Sequence, residues 1–229
     1  MVESQTPKYN MDTMPLRRRH ILILIIASAG QFFGGALAIL VGVIAPLIAI
    51  THHPELSSWL QGFIFASGLI GIMLGSLFFG RLSDKYGYLF FFRLCPVMIA
   101  GASLWIYFSH SISVLTICLF TIGFAIGGAY ALDPSYVSEI MPKKWRRTML
   151  GVSKATSGLG NILMILVAWY VLKISANPDI WNRLFLFLTL FAAITFMARF
   201  WFVESPEWLA LHGKVQEAEK NIKHFLGQD

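Results

Sequence analysis

Six long apolar runs constrain this chain more than any other feature: residues 20–50, 57–80, 88–108, 111–136, 149–174 and 184–203. Each has about the 20 residues needed to cross the hydrocarbon of a bilayer. A backbone amide or carbonyl inside lipid has no water to bond, so a spanning segment must close its own hydrogen bonds as a helix. The abundant Phe and β-branched residues therefore do not argue for strands. The expected fold is an all-α membrane protein with six transmembrane helices. Composition agrees, with 56% of residues hydrophobic and 13% charged, about half the charged share of an ordinary soluble domain. The leading stretch MVESQTPKYNMDTMPLRRRH is polar and then basic. The run behind it exceeds the roughly 7–15 residues of a signal-peptide core, so it reads as a first span that stays in place.

Charge gives the runs a direction. One set of segments carries Lys8, Arg17, Arg18, Arg19, Arg81, Lys85, Arg93, Lys143, Lys144, Arg146, Arg147, Lys214, Lys220 and Lys223, while the opposite loops carry only Lys173 and Arg183. Bases concentrate on the cytoplasmic side of a membrane. Both termini are thus expected in the cytoplasm, with the chain in a bacterial inner (plasma) membrane. Residues 1–19 would be a cytoplasmic segment, 20–203 the bundle, and 204–229 a cytoplasmic amphipathic helix. The net charge of +6 then marks topology and not a nucleic-acid face. Trp59, Trp105, Trp169 and Trp181 fall near the expected interfaces, where amphipathic rings collect.

Gly68, Gly71 and Gly75 share one face of the second span, and Gly123 and Gly127 are four apart in the fourth. Small residues at that spacing let helix backbones approach in lipid. In the tail, Leu211, Val215, Ala218, Ile222 and Phe225 recur in steps of three and four after Ser205-Pro206, a cap and first turn. The pattern predicts one amphipathic helix. Cys95 and Cys118 lie inside apolar runs and read as packing thiols. There is no nucleophile–base set, phosphate-cradling glycine loop or metal cluster. The chain reads as neither an enzyme nor a cofactor or metal protein.

The stretch GRLSDKYG, residues 80–87, falls between the second and third spans. It resembles the signature loop of the major facilitator superfamily, through Gly80, Asp84, Lys85 and Gly87, with Arg93 as a downstream base. YVSEIMPKKWRRTMLG resembles the end of the fourth helix in sugar porters and metabolite:proton symporters, through Glu139, Pro142 and Arg146 or Arg147. ESPEWL, residues 204–209, is similar to the segment after their sixth helix. The resemblance covers nearly the whole chain. It implies that the loop latches the inner side of two bundles in the outward-facing state, with Arg81, Arg199 and Glu204 in the same gating network. Asp84 is expected to cap the third helix and pair with neighbouring bases. The chain also departs from the family. Ala155 stands where sugar porters keep a substrate-binding glutamine, Leu119 where they keep an arginine, Glu207 where they keep a base. Gly34 and Leu37 occupy places where related symporters often carry acids.

Charge inside a span costs about 2.5–3.5 kcal/mol on insertion scales and so has a partner or a task. Asp133 and Lys154 sit at similar depth on antiparallel neighbours and are expected to pair. Asp133 would then titrate and release Lys154 to an anionic solute, or the pair is structural with Lys154 snorkelling. Gln31 and Asn161 are expected near the midplane, lining a cavity or bonding between helices. Tyr130, one turn from Asp133, closes the same pocket or merely packs. Arg199 is expected to snorkel and to join Glu139 or Glu204. His52 and His53 read as a solvated outer loop pair.

The family fold needs two six-helix halves with solute between them. The implied function is a half-size transporter subunit for a small organic solute, an organic anion or sugar-like metabolite, with proton coupling as a further expectation. It would rock against a second six-helix half, as a hetero- or homodimer in the lipid bilayer. The alternative is a non-transporting membrane scaffold or partner-binding subunit. A truncated chain is a third reading that length leaves open.

Overall fold

The computed structural model describes residues 15–51, 57–109, 111–174 and 178–226. The chain before residue 15 and the pair His52 and His53 lie outside them. All regular structure among the described residues is helical: α1 (Arg18–Ala27), α2 (Ala29–Thr51), α3 (Ser58–Tyr86), α4 (Leu89–Phe108), α5 (Ile112–Ile140), α6 (Lys143–Ile174), α7 (Leu184–Ala198), α8 (Pro206–Leu211) and α9 (Val215–Leu226). Short 3-10 turns, Pro178–Arg183 and Arg199–Trp201, flank α7. Six helical stretches are long and apolar enough to cross a membrane, the first of them α1 and α2 together.

α5 is the hub, in contact with α1, α2, α3, α4 and α6. Its glycines explain why α3 packs on it more extensively than any other pair of helices pack. A Cβ on Gly71 or Gly75 would run into the carbonyl oxygen of Phe120 or Phe124, and one on Gly123 or Gly127 into that of Gly68 or Ile72. The expected small-residue seam is therefore a backbone-to-backbone contact. α2 meets α6 the same way, with Gly35 against the Ser157 carbonyl and Gly160 against that of Phe32. Only a narrow stripe of α6 is buried: Ser153, Gly160, Met164 and Ala168.

Several expectations need correction. The first span is two helices, because Ser28 turns its hydroxyl back to the Leu24 carbonyl (2.6 Å) and ends α1. α3 continues through Gly80, Arg81, Asp84 and Lys85 to Tyr86, so the turn shrinks to Gly87 and Tyr88. Only Gly87 there needs glycine's freedom, with φ of +88°. α6 begins at Lys143, six residues before the apolar run, because its first two turns are basic and emerge from the apolar layer. The tail is two helices, broken where Gly213 takes φ of +75°. That break leaves Leu211 80% exposed instead of on the packed face, while Ala218 and Ile222 are buried as expected. Trp59, Trp105 and Trp169 are exposed, but Trp181 is buried against Phe185.

The seam makes a direct prediction. Gly123→Leu should lower the apparent Tm of the detergent-solubilised protein, a loss of about 1–3 kcal/mol or more from overpacking. Gly158→Ala should not, because a Cβ there meets nothing within 4 Å. Thermal unfolding followed by tryptophan fluorescence reads both.

Candidate functional site

Asp133 and Arg199 form a buried ion pair, Arg199 Nη2 donating to Asp133 Oδ1 at 3.1 Å, with side chains 0% and 1% exposed. The pair also repairs the backbone. Pro96 interrupts α4 and has no N–H, so the carbonyl of Phe92, four residues earlier, loses its helical donor. Arg199 Nη1 donates to that carbonyl at 2.8 Å. On the other side, Gly30 lies in the first turn of α2, where amides lack intrahelical acceptors. Its N–H donates to Asp133 Oδ2 at 3.1 Å. The guanidinium lies over the Phe92 ring at 5.0 Å, above a cluster of Tyr88, Phe92, Tyr136 and Phe202 rings. One carboxylate and one guanidinium thus join α2, α4, α5 and the end of α7.

This replaces the expected Asp133–Lys154 pair. Lys154 is exposed at the edge of the buried stripe of α6, and Arg199 joins neither Glu139 nor Glu204. The other inner-span polar residues gather around two consecutive glycines of α2. A Cβ on Gly34 would strike the Tyr130 hydroxyl, and one on Gly35 would come within 2.9 Å of Asn161 Oδ1. Gln31 stands one turn from Gly35 and is 8% exposed. Asn161 Oδ1 is buried without a hydrogen-bond partner among the described residues. Tyr130 and Asn161 thus border α2 at neighbouring glycines, with Gln31 one turn earlier, and Lys154 shares the helical stripe of Ser157 and Asn161.

A second polar cluster closes the end of the bundle where α4 begins. Glu204 accepts the amides of Tyr88 (2.9 Å) and Leu89 (3.2 Å). It is the acid that caps α4, the task expected of Asp84. Asp84 instead lies in the last turn of α3, where its carbonyl accepts Trp208 Nε1 at 3.0 Å. Glu139 accepts the Tyr88 hydroxyl at 2.6 Å and the Ser205 hydroxyl. Burial, and after it the Glu139 carboxylate, pushes the Tyr88 phenol well above the usual phenol range, so it stays a donor. Ser205 also caps α8 through the Trp208 amide, as expected. Tyr136 donates to the Val203 carbonyl at 2.7 Å and Asn221 to that of Glu204 at 2.9 Å. The tail is thereby stitched to the turn after α3. Arg81 and Arg147 are exposed. Arg146 donates to the Met141 carbonyl at 3.4 Å. Arg93 is not drawn into the cluster and lies over the Phe200 ring at 4.9 Å. The sequence signal for Glu204 as a cap was the resemblance of its segment alone, because backbone N–H donors carry no residue pattern.

Residues 3–229 match the family described as sugar (and other) transporter. The chain belongs to that family, a sugar-porter branch of the major facilitator superfamily. Among curated sugar-porter relatives it is 28% identical over 222 residues to the inner membrane metabolite transport protein YgcS of Escherichia coli, covering 97% of this chain and 49% of that protein. It is 33% identical over 170 residues to plastidic glucose transporter 4 of Arabidopsis thaliana, covering 74% and 31%. It is 26% identical to the major myo-inositol transporter IolT of Bacillus subtilis, covering 88% and 43%. The chain spans about half the length, or less, of these relatives. The fold is that of one half of the proton:xylose symporter XylE, with a TM-score of 0.84 at 20% identity over 91% of this chain and 50% of that one. These relatives are transporters and not enzymes, and the sugar-porter chain here is an integral membrane protein.

Because both members of the buried pair are fully enclosed, removing one strands the other. Arg199→Met or Asp133→Leu alone should cost about 3–5 kcal/mol, and the double variant should recover most of it. Lys154→Ala should leave stability unchanged. A double-mutant cycle on apparent Tm in detergent checks all three.

Proposed function

We propose that this chain forms one six-helix half of a transporter that moves a small polar organic solute, sugar-like or an organic anion, by rocking against a second six-helix half. The observation that carries this reading is the family match across nearly the whole chain, together with a shape that covers half of a proton:xylose symporter. The second half would be another six-helix chain or a second copy of this one. Bundles related by an axis along the membrane normal keep the same orientation, so either fits. In this reading the unequal distribution of bases puts both termini and the Glu204–Glu139 cluster on the cytoplasmic side of a bacterial inner membrane. The segments before 20 and after 203 would lie outside the bundle on that side.

The solute would meet Gln31, Tyr130 and Asn161, which supply hydrogen-bond donors and acceptors suited to hydroxyl groups. Lys154, exposed on the Asn161 stripe, would answer an anionic solute from the rim. Asp133 would serve coupling through Arg199 and not through Lys154. Protonating a carboxylate that holds a guanidinium and a helix-start amide frees both, so one proton would loosen four helices together. The gating set would be Gly80, Arg81, Asp84, Lys85, Gly87, Arg93, Glu139, Arg146, Arg147, Arg199 and Glu204, with Glu204 as its knot.

Intact mass after purification in mild detergent should show a complex with a second six-helix chain. Proteoliposomes of that complex should take up a labelled hexose, polyol or organic acid, faster with an inward proton gradient. Asn161→Ala should raise KM about tenfold, the loss of a buried hydrogen bond of about 1.4 kcal/mol. Asp133→Asn should abolish the response to the gradient. A stable lone chain that moves none of these solutes would favour the scaffold reading.

A further inference from the structure

Arg93 stands outside the hydrogen-bonded cluster at the start of α4, over the Phe200 ring. It sits on the outward stripe of α4, between Phe90, 64% exposed, and Val97, 47% exposed. The stripe continues through Leu104, Trp105 and Phe108, all exposed. α7 packs beside α4 and shows a matching stripe of Leu190, Ile194, Met197 and Trp201. The guanidinium lies at the seam of these two apolar surfaces, over the Phe200 ring at 4.9 Å. That ring is held edge-on to Phe196 at 5.0 Å. Arg93 Nε is buried without a hydrogen-bond partner, and no carboxylate pairs with the guanidinium among the described residues.

A cation facing lipid with no acid beside it must find an anion or stretch to water. Arg93 is the fifth residue of α4, so at about 1.5 Å per residue it lies about 6 Å inside the helix start. A long side chain from there reaches the headgroup layer. Phosphodiesters sit in that layer, and the planar fork of arginine matches two phosphate oxygens at once. Trp201, 78% exposed, supplies the amphipathic ring that favours the same depth. The ring under Arg93 fixes the fork, so little side-chain freedom is left to lose on binding.

We infer that Arg93, stacked on Phe200 in the groove between α4 and α7, is a binding site for the headgroup phosphate of a membrane phospholipid, favouring an anionic one. The inference needs only the membrane-spanning fold and stands apart from any solute. The test titrates the detergent-purified chain with dioleoyl phosphatidylglycerol and counts bound lipid by native mass spectrometry. Arg93→Gln should weaken the tightest lipid adduct about tenfold, the worth of one charge-assisted pair. Arg93→Lys should weaken it less, because charge remains and the fork is lost, and it carries the test should Arg93→Gln not purify. Dioleoylglycerol, with no phosphate, should bind all variants alike. Glycerol phosphate at millimolar concentration should not displace the lipid. Equal lipid binding by the variants and the parent chain overturns the site. Displacement by glycerol phosphate overturns the lipid as its occupant in favour of a soluble anion.

Discussion

Lipid offers no hydrogen bonds, so each interruption of a spanning helix needs a partner from elsewhere in the protein. The structure answers two interruptions with one ion pair. Pro96 leaves the Phe92 carbonyl without a donor, and the stop at Ser28 leaves the Gly30 amide without an acceptor. Arg199 and Asp133 fill them and satisfy each other. A carboxylate and guanidinium buried for charge alone would barely offset their desolvation. Here each also closes a backbone group that hydrocarbon would leave unpaired, which adds to the worth of the pair. The Ser28 carbonyl at the same break accepts the Thr156 hydroxyl of α6 at 3.1 Å. α5 and α6 thus each contribute a polar group to the break.

Two of the helix seams near that point are backbone contacts. The α3–α5 and α2–α6 seams are glycine against carbonyl oxygen, so the helices have no side-chain layer to slide upon. What remains adjustable lies at the ends. The Gly87 turn, the Glu204 cap and the Gly213 break lie outside those seams, at the ends of α3, α4 and α8.

The number of spans, their helicity and the glycine seam were legible because hydrophobic length and small-residue spacing are local patterns. So was the capping role of Ser205, a side chain three residues from the amide it accepts. The partner of Asp133 was not. Position along a helix follows from counting residues, but azimuth depends on how the helices are packed, and Asp133 is met by Arg199 and not by Lys154. Arg199 points inward because the 3-10 turn Arg199–Trp201 rewinds the end of α7, a change that no periodicity in this all-apolar run announces. Glu204 escaped as a cap for a related reason: its ligands are amides of a turn more than a hundred residues earlier. The single amphipathic tail was misread because the apolar steps of three and four continue through Gly213 as though the helix did.

The inner cluster differs from a charge latch in a way that bears on how its state would be set. Glu139 and Glu204 are held by a phenol, a hydroxyl and backbone amides, and neither forms an ion pair among the described residues. Hydrogen bonds to neutral donors are weakened by salt far less than exposed ion pairs are. They also carry no obligation to a particular base on a facing bundle. The carboxylates keep spare lone pairs, so arginines of another bundle can add to this cluster without first breaking it. Tyr88 holds Glu139 in position through its own hydroxyl.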